Sequence, residues 1–301
     1  MESLESELAR ARELDESVLA DAIESIGFEC TRCGACCKGY EPEADASSTV
    51  EAESSDDDAG SGNNADEGMC HTDREPHTAT VFPDEIRRLQ SAVGDRAAGE
   101  TVEDGEPTSV EGDATAAAEA TAESNVDYDW RDVARPMPYG LESGENEPEG
   151  ETFEWALQTT DCGDCTFYEE TADGTGGCSV HADRPLICQT YPFSVDLAGT
   201  SQPMGAAVDS VALQGQRKVG EINKTALQAH ECEGLGRDIA REDAVELAAA
   251  LKERAVRDLT EAINVRDRYE PVSKSARAVN GGVVVHDSEG PKTIDGTPIE
   301  R

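Results

Sequence analysis

The sequence predicts an α+β fold: a small cysteine-rich domain with flanking helices and short strands, interrupted by acidic inserts. Three observations carry this reading. Apolar residues recur at helical spacing near both ends of the chain. Short β-prone runs bounded by turn residues fill the middle. Ten cysteines punctuate the sequence, four of them within eight positions.

Residues 3–26 read as helical, because Leu4, Leu8, Ala11, Val18, Ala22 and Ile26 follow the helical period and Gly27 stops the run. The first cysteine cluster follows at once in FECTRCGACCKG. Residues 41–68 are acidic and of low complexity, and are expected to be a disordered insert. Order resumes at HTATVFPDEIRRLQSAVG, where Asp84 can cap a short helix carrying Ile86 and Leu89. A second acidic insert is expected over 94–125. TFEWALQT alternates as a strand does, YPFSVDLAG reads as another, and GAAVDSVAL is expected to pair with it. From about 238 to 268, Leu247, Leu251, Ala255, Leu259 and Ile263 form the apolar stripe of a long helix. Turn signals between β-prone runs suggest a small hairpin in the tail. The expected organisation is one cysteine-cluster domain over 1–270, with a C-terminal tail over 271–301.

Charge narrows the functional classes. Acidic residues number 65 and basic residues 25, giving a formal net charge of −40. A field of that sign repels phosphate backbones and anionic lipid, so neither nucleic acid nor membrane is an expected partner. With few lysines among the cations, the pattern suits a protein working at molar salt, where the Debye length is roughly 3 Å and carboxylates no longer repel at long range. No stretch approaches a membrane-spanning apolar run, and the opening segment lacks the apolar core of a secretion signal. The expected location is cytoplasmic, where disulfides are rare.

The cysteines are Cys30, Cys33, Cys36, Cys37, Cys70, Cys162, Cys165, Cys178, Cys188 and Cys232. Disulfides suit a cytosolic chain poorly, and adjacent Cys36 and Cys37 would close only a strained ring. Core packing can explain single cysteines such as Cys188 or Cys232, but not C-x2-C-x2-C-C. Metal binding accounts for the pattern. Thiolates three residues apart can reach one ion, as in Cys30/Cys33, Cys33/Cys36 and Cys162/Cys165. Gly34 and Gly163 permit tight turns that aim N–H groups at sulfur. Adjacent Cys36 and Cys37 are expected to point apart and serve different ions or a bridged cluster. The spacing lacks the closing Cys-Pro of a ferredoxin run, and the C-x2-C pairs lie too far apart for a zinc ribbon. Zinc and iron both remain open.

FECTRCGACC, VFPDEIRRL, CTFYEE, CSVHADRPLICQTYPF and HECEG together resemble the YkgJ-type cysteine-cluster proteins, described as zinc- or iron-chelating and often labelled Fe-S oxidoreductases. The resemblance covers roughly 27–39, 78–90 and 150–235. It implies a metal set of Cys30, Cys33, Cys36, Cys37, Cys165, Cys178, Cys188 and Cys232, with Cys70 and Cys162 as extras. The implied function is chelation of zinc or iron. An iron-sulfur redox protein and a zinc-stapled scaffold for a protein partner are the alternatives. The acidic inserts depart from the family pattern, as does His181 where relatives carry an aromatic. Among other candidates, His71 is read as a surface residue, while His181 and His230 stand beside cysteines. Arg184 can offset thiolate charge. Asp84 and Glu85 read as a helix start rather than an acid/base pair. No P-loop, G-x-G-x-x-G or Ser-His-Asp pattern is found.

Overall fold

A computed structural model describes residues 3–40, 74–99, 128–143, 148–197, 207–213 and 225–299. The insert over 41–68 lies outside the described residues, as do Cys70, His71 and all of the second insert but 94–99. The fold is α+β, with seven α-helices and twelve strands among the described residues.

The N-terminal run is two helices rather than one, α1 (Leu4–Arg12) and α2 (Glu16–Ile26). Asp15 divides them: its backbone is extended, and its carboxylate accepts from Ser17 N (2.9 Å) and Val18 N (3.3 Å). A cap of this quality competes with helix continuation and wins. Strand β1 (Thr80–Val81) leads into α3 (Pro83–Gly99), with Pro83 at the first helical position. Asp84 therefore lies inside the first turn and is not the cap. Glu85 instead folds back to accept from Phe82 N at 3.1 Å. Helix α3 also runs on through 94–99, correcting the start of the expected insert.

Next come α4 (Trp130–Val133), β2 (Ala134–Pro136), β3 (Leu141–Ser143), β4 (Pro148–Thr152) and β5 (Trp155–Leu157). The TFEWALQT run thus splits between the end of β4 and all of β5. Strand β5 is the middle of a three-stranded sheet ordered β1-β5-β2. A two-stranded ribbon, β6 (Tyr168–Glu170) and β7 (Gly176–Cys178), precedes the short helix α5 (Leu186–Thr190). Then follow β8 (Phe193–Asp196), β9 (Ala207–Ala212) and β10 (Ala226–His230), which form a sheet ordered β8-β10-β9. Strand β9 was expected to pair with β8. Strand β10 lies between them, because Leu227 and Ala229, both fully buried, place it at the centre of the core.

Helix α6 (Arg241–Arg268) buries Leu251, Ala255 and Leu259 of the expected stripe, while Leu247 and Ile263 at its ends pack on the core half-buried. After α7 (Lys274–Val279), β11 (Val283–Asp287) pairs antiparallel with β12 (Gly290–Lys292) and parallel with β4. Among the described residues no helix is long and apolar enough to cross a membrane.

Two hydrophobic clusters form. One joins α1, α2 and α6 to the β8-β10-β9 sheet through Leu14, Leu19, Ile23, Phe193, Leu227 and Leu251. The other is built on Ile86, Leu89, Trp130, Trp155 and Val285, and includes Cys165. Each such fully buried side chain contributes roughly 1.5–3 kcal/mol relative to exposure. Phe28 packs on the first cluster, whereas Cys37, Cys178 and Cys188 pack on the second. The first cysteine segment therefore runs from one core to the other.

Candidate metal centre

The segment after α2 is held by backbone contacts to a distant loop. Phe28 bridges Leu235, and Glu29 N donates to Gly234 O at 3.0 Å. Gly236 N donates to Gly27 O at 3.0 Å. These bonds set Cys30 beside the turn carrying Cys232, where Gly234 N donates to Cys232 Sγ at 3.4 Å.

Gly34 then adopts a left-handed backbone (φ 74°) and opens a 3₁₀ turn over Ala35–Cys37. A side chain at Gly34 would run into the Tyr168 ring. Cys37 N closes the turn on Gly34 O at 2.8 Å. The Cys36 and Cys37 sulfurs stand 3.8 Å apart. They were expected to point apart. The tight 3₁₀ geometry turns both to one side, which pair spacing alone does not reveal.

Two further bonds join this turn to the second cysteine region. Cys165 N donates to Cys37 O at 2.7 Å, and Gly176 N donates to Arg32 O at 2.7 Å. The β6–β7 ribbon pairs Tyr168 with Cys178. Cys188 is carried by α5, whose first N–H, on Leu186, is accepted by the Glu85 carboxylate at 3.0 Å. Glu85 is thus a structural acceptor, buried to 1% exposure, that ties α5 to the start of α3.

Cys30, Cys33, Cys36, Cys37, Cys165, Cys178, Cys188 and Cys232 are in no disulfide. Cys162 is disulfide-bonded, so its C-x2-C spacing to Cys165 does not mark a ligand pair, and disulfides are not excluded from this chain as expected. Spacing alone cannot separate the two uses of a thiol.

The electrostatics show which thiols are neighbours. Cys36 is lowered to about 7, chiefly by a hydrogen bond from Cys37, with help from the Arg184 charge. Cys37 is pushed far up, because it keeps the shared proton and is buried near Cys165 and Cys188. Burial raises Cys165 to about 12, reinforced by Cys178 and Cys36. Burial also raises Cys188, reinforced by Cys165, Cys36 and Cys178 and opposed by Arg184. Cys232 is raised by burial and by Cys33, Cys36 and Cys30. The Cys36 charge acts on Cys165 and Cys188 and on Cys232 alike. Crowded thiols that resist ionisation alone become thiolates when a divalent ion supplies the compensating charge.

Among the described residues no three His, Cys, Asp or Glu side chains are gathered tightly enough to hold one ion. The fit rests on donor chemistry. Mutually adjacent thiols, a backbone N–H on sulfur and a nearby guanidinium are what soft-ligand zinc or iron sites use.

The histidines sort differently. His230 is buried at the end of β10, with Nε2 2.8 Å from Ser194 Oγ. His181 begins a 3₁₀ turn, and its pKa is lowered by partial burial and by the charges of Arg184 and Arg32. The sequence reading passed over His77. It is 4% exposed, hydrogen-bonds the Cys36 backbone, and has a buried Nδ1 without a hydrogen-bond partner. Nothing in its spacing marks it, since it lies outside both cysteine clusters.

Residues 108–233 match the family model CxxCxxCC, described as "Putative zinc- or iron-chelating domain". The match supports the family resemblance and a zinc- or iron-chelating character for this region. It contains Cys162, Cys165, Cys178, Cys188 and Cys232, while the cluster at 30–37 lies before it. No curated protein and no solved structure matches the chain.

Proposed function

We propose that this protein is a YkgJ-type, salt-adapted chelator of zinc or iron whose ligands are Cys30, Cys33, Cys36, Cys37, Cys165, Cys178, Cys188 and Cys232. The observation that carries the reading is the junction at Cys37. Its carbonyl accepts from Cys165 N at 2.7 Å, while its sulfur lies 3.8 Å from that of Cys36. Two thiolates on one tetrahedral ion, with bonds of about 2.3 Å, stand about 3.8 Å apart. Neighbouring Cys36 and Cys37 thus stand at ligand-like separation unoxidised, and the backbone bond from Cys165 brings the second cysteine region to the same turn.

Eight thiols suffice for two four-coordinate ions. The inner group is Cys37, Cys165, Cys178 and Cys188, and the outer group is Cys30, Cys33 and Cys232. Cys36 stands where the groups meet and joins the outer set or bridges both. Arg184 favours thiolate at Cys36 and Cys188 and so aids loading. Residues 1–270 are read as one domain, with 271–301 as a tail whose hairpin docks on β4.

The second reading is an iron-sulfur redox centre, favoured by the backbone N–H of Gly234 on Cys232 sulfur, a contact that tunes cluster potentials. A zinc-stapled scaffold for a protein partner is the third. Elemental analysis of protein purified without oxygen in high KCl separates them. Zinc gives colourless protein, and a cluster gives brown protein absorbing near about 400 nm. Cys33→Ser and Cys188→Ser should each lower metal per chain, and Cys162→Ser should not. Full metal in both of the first two variants refutes the shared centre.

A further inference from the structure

A cavity of about 620 Å³ lies between α6 and the β1-β5-β2 sheet, with Ile187, the residue before Cys188, in its lining. Its walls are apolar and aromatic, with Phe82, Met137, Phe153, Trp155, Leu259 and Tyr269 among them. Five acidic residues line the same space, Glu7, Asp287, Glu154, Asp258 and Glu261, and the last three carry the argument.

The cations that line it are largely committed. Arg254 lies 3.6 Å from Asp258, but donates to Thr190 Oγ1 at 2.9 Å and to Phe193 O at 3.4 Å. Arg266 is held by Glu5 and Asp267, each at 2.7 Å. Asp287 is matched by Lys292 at 2.7 Å, so it adds no uncompensated charge. Among the described residues Glu261 accepts the Ser288 N–H at 2.7 Å and, like Glu154, has no ion-pair partner. Glu7 also lines the cavity. The polar lining is therefore net negative within apolar walls.

We propose that this cavity binds an organic cation: a primary or quaternary ammonium on an apolar body. Aromatic faces and carboxylates set among apolar walls are the two groups that favour such a ligand over water. The volume is that of a small-molecule site rather than a packing defect. The electrostatics agree. Burial holds the Asp258 carboxyl at about 6, opposed by Arg254 and reinforced by Glu154. Glu154 stays partly open to solvent, yet desolvation by its apolar surroundings and the Glu261 charge raise its carboxyl. An ammonium between these groups relieves both penalties. Through Arg254 and Thr190 the cavity also touches α5, the helix that carries Cys188. The binding proposal itself does not depend on the metal reading.

The test uses full-length protein in high KCl at neutral pH and three probes of one shape. These are 4-phenylbutylamine, 4-phenylbutanol and 4-phenylbutyrate, followed by calorimetry and by the emission of Trp155, which lines the cavity. The amine should bind saturably, the alcohol about tenfold more weakly, and the acid not at all, because a charge-assisted contact is worth that factor or more. Glu154→Gln combined with Asp258→Asn should bring the amine down to the affinity of the alcohol, with circular dichroism confirming the fold. The proposal is overturned if the amine fails to saturate, if alcohol or acid binds as well as amine, or if the double variant keeps wild-type affinity. Metal per chain, measured on the same samples, reports separately on the metal centre.

Discussion

Gly234→Ala is the sharpest probe of how the fold assembles the cysteine centre. A Cβ at this position would fall well inside contact distance of the Glu29 carbonyl oxygen, 3.1 Å from its carbon and 3.0 Å from the Phe28 ring. Most of the obstruction is backbone, so no side-chain rotation relieves it. The loop must retreat by roughly 1 Å to restore normal separation. Retreat costs two cross-chain bonds, Glu29 N to Gly234 O and Gly236 N to Gly27 O, both 3.0 Å. At about 0.5–1.5 kcal/mol for each bond, plus about 1–3 kcal/mol of overpacking strain, the substitution should cost about 2–6 kcal/mol. The same movement parts Cys30 from Cys232, so metal content should fall with stability. The assay is denaturant unfolding in high KCl together with metal per chain. Gly177→Ala serves as the control, because its Cβ would meet only the Glu169 carbonyl at 3.9 Å. A Gly234→Ala protein with wild-type unfolding and full metal would show that the contact between the two segments does not build the centre.

Other outcomes follow from the same structure. Glu85→Ala leaves the buried N–H of Leu186 and the part-buried N–H of Phe82 without their acceptor, and should cost about 1–3 kcal/mol for the first and less for the second by thermal or denaturant unfolding; an unchanged midpoint refutes the anchoring role. Asp258 titrates at about 6 when folded against an ordinary 3.8, so the folded state holds its proton longer than the unfolded chain. Its contribution is therefore greatest below about pH 4 and is lost as pH rises to about 6, an effect of up to about 3 kcal/mol. The difference between wild-type and Asp258→Asn stability curves should slope across that window and be flat above it; a flat difference throughout refutes the shift. Diluting KCl from molar to about 0.1 M lengthens the Debye length from roughly 3 to roughly 10 Å and should lower the melting temperature of a chain with net charge −40; a flat or rising melting temperature refutes salt adaptation.

Local patterns were legible wherever one residue's role depends on its immediate neighbours. The α6 stripe appears as read, because burial of one face at helical period is a property of the segment. The division of 3–26 was missed, although Asp15 was in view, because a cap and an interior acid look alike until the backbone turns. Strand β10 was missed because a five-residue run gains its strand character from the neighbours on both sides. C-x2-C-x2-C-C was read as chelating because core packing and disulfides explain that spacing poorly, and the family match over 108–233 supports a chelating character for the later cysteines rather than for this cluster. Cys162 shares the spacing and is disulfide-bonded, so spacing alone misassigns it.

By itself the sequence determined the α+β class, the acidic charge, the helical ends and a cysteine-rich, zinc- or iron-chelating character. Those follow from composition and short-range periodicity, which act over a few residues. Tertiary structure decided which thiols are neighbours. It set Cys37 against Cys165, Cys30 beside Cys232 and Cys188 on a helix anchored by Glu85. It also buried His77 behind Cys36 and opened a carboxylate-lined cavity beside α5. Each of these arises from backbone bonds and packing between segments remote in sequence, and no local pattern encodes such a meeting.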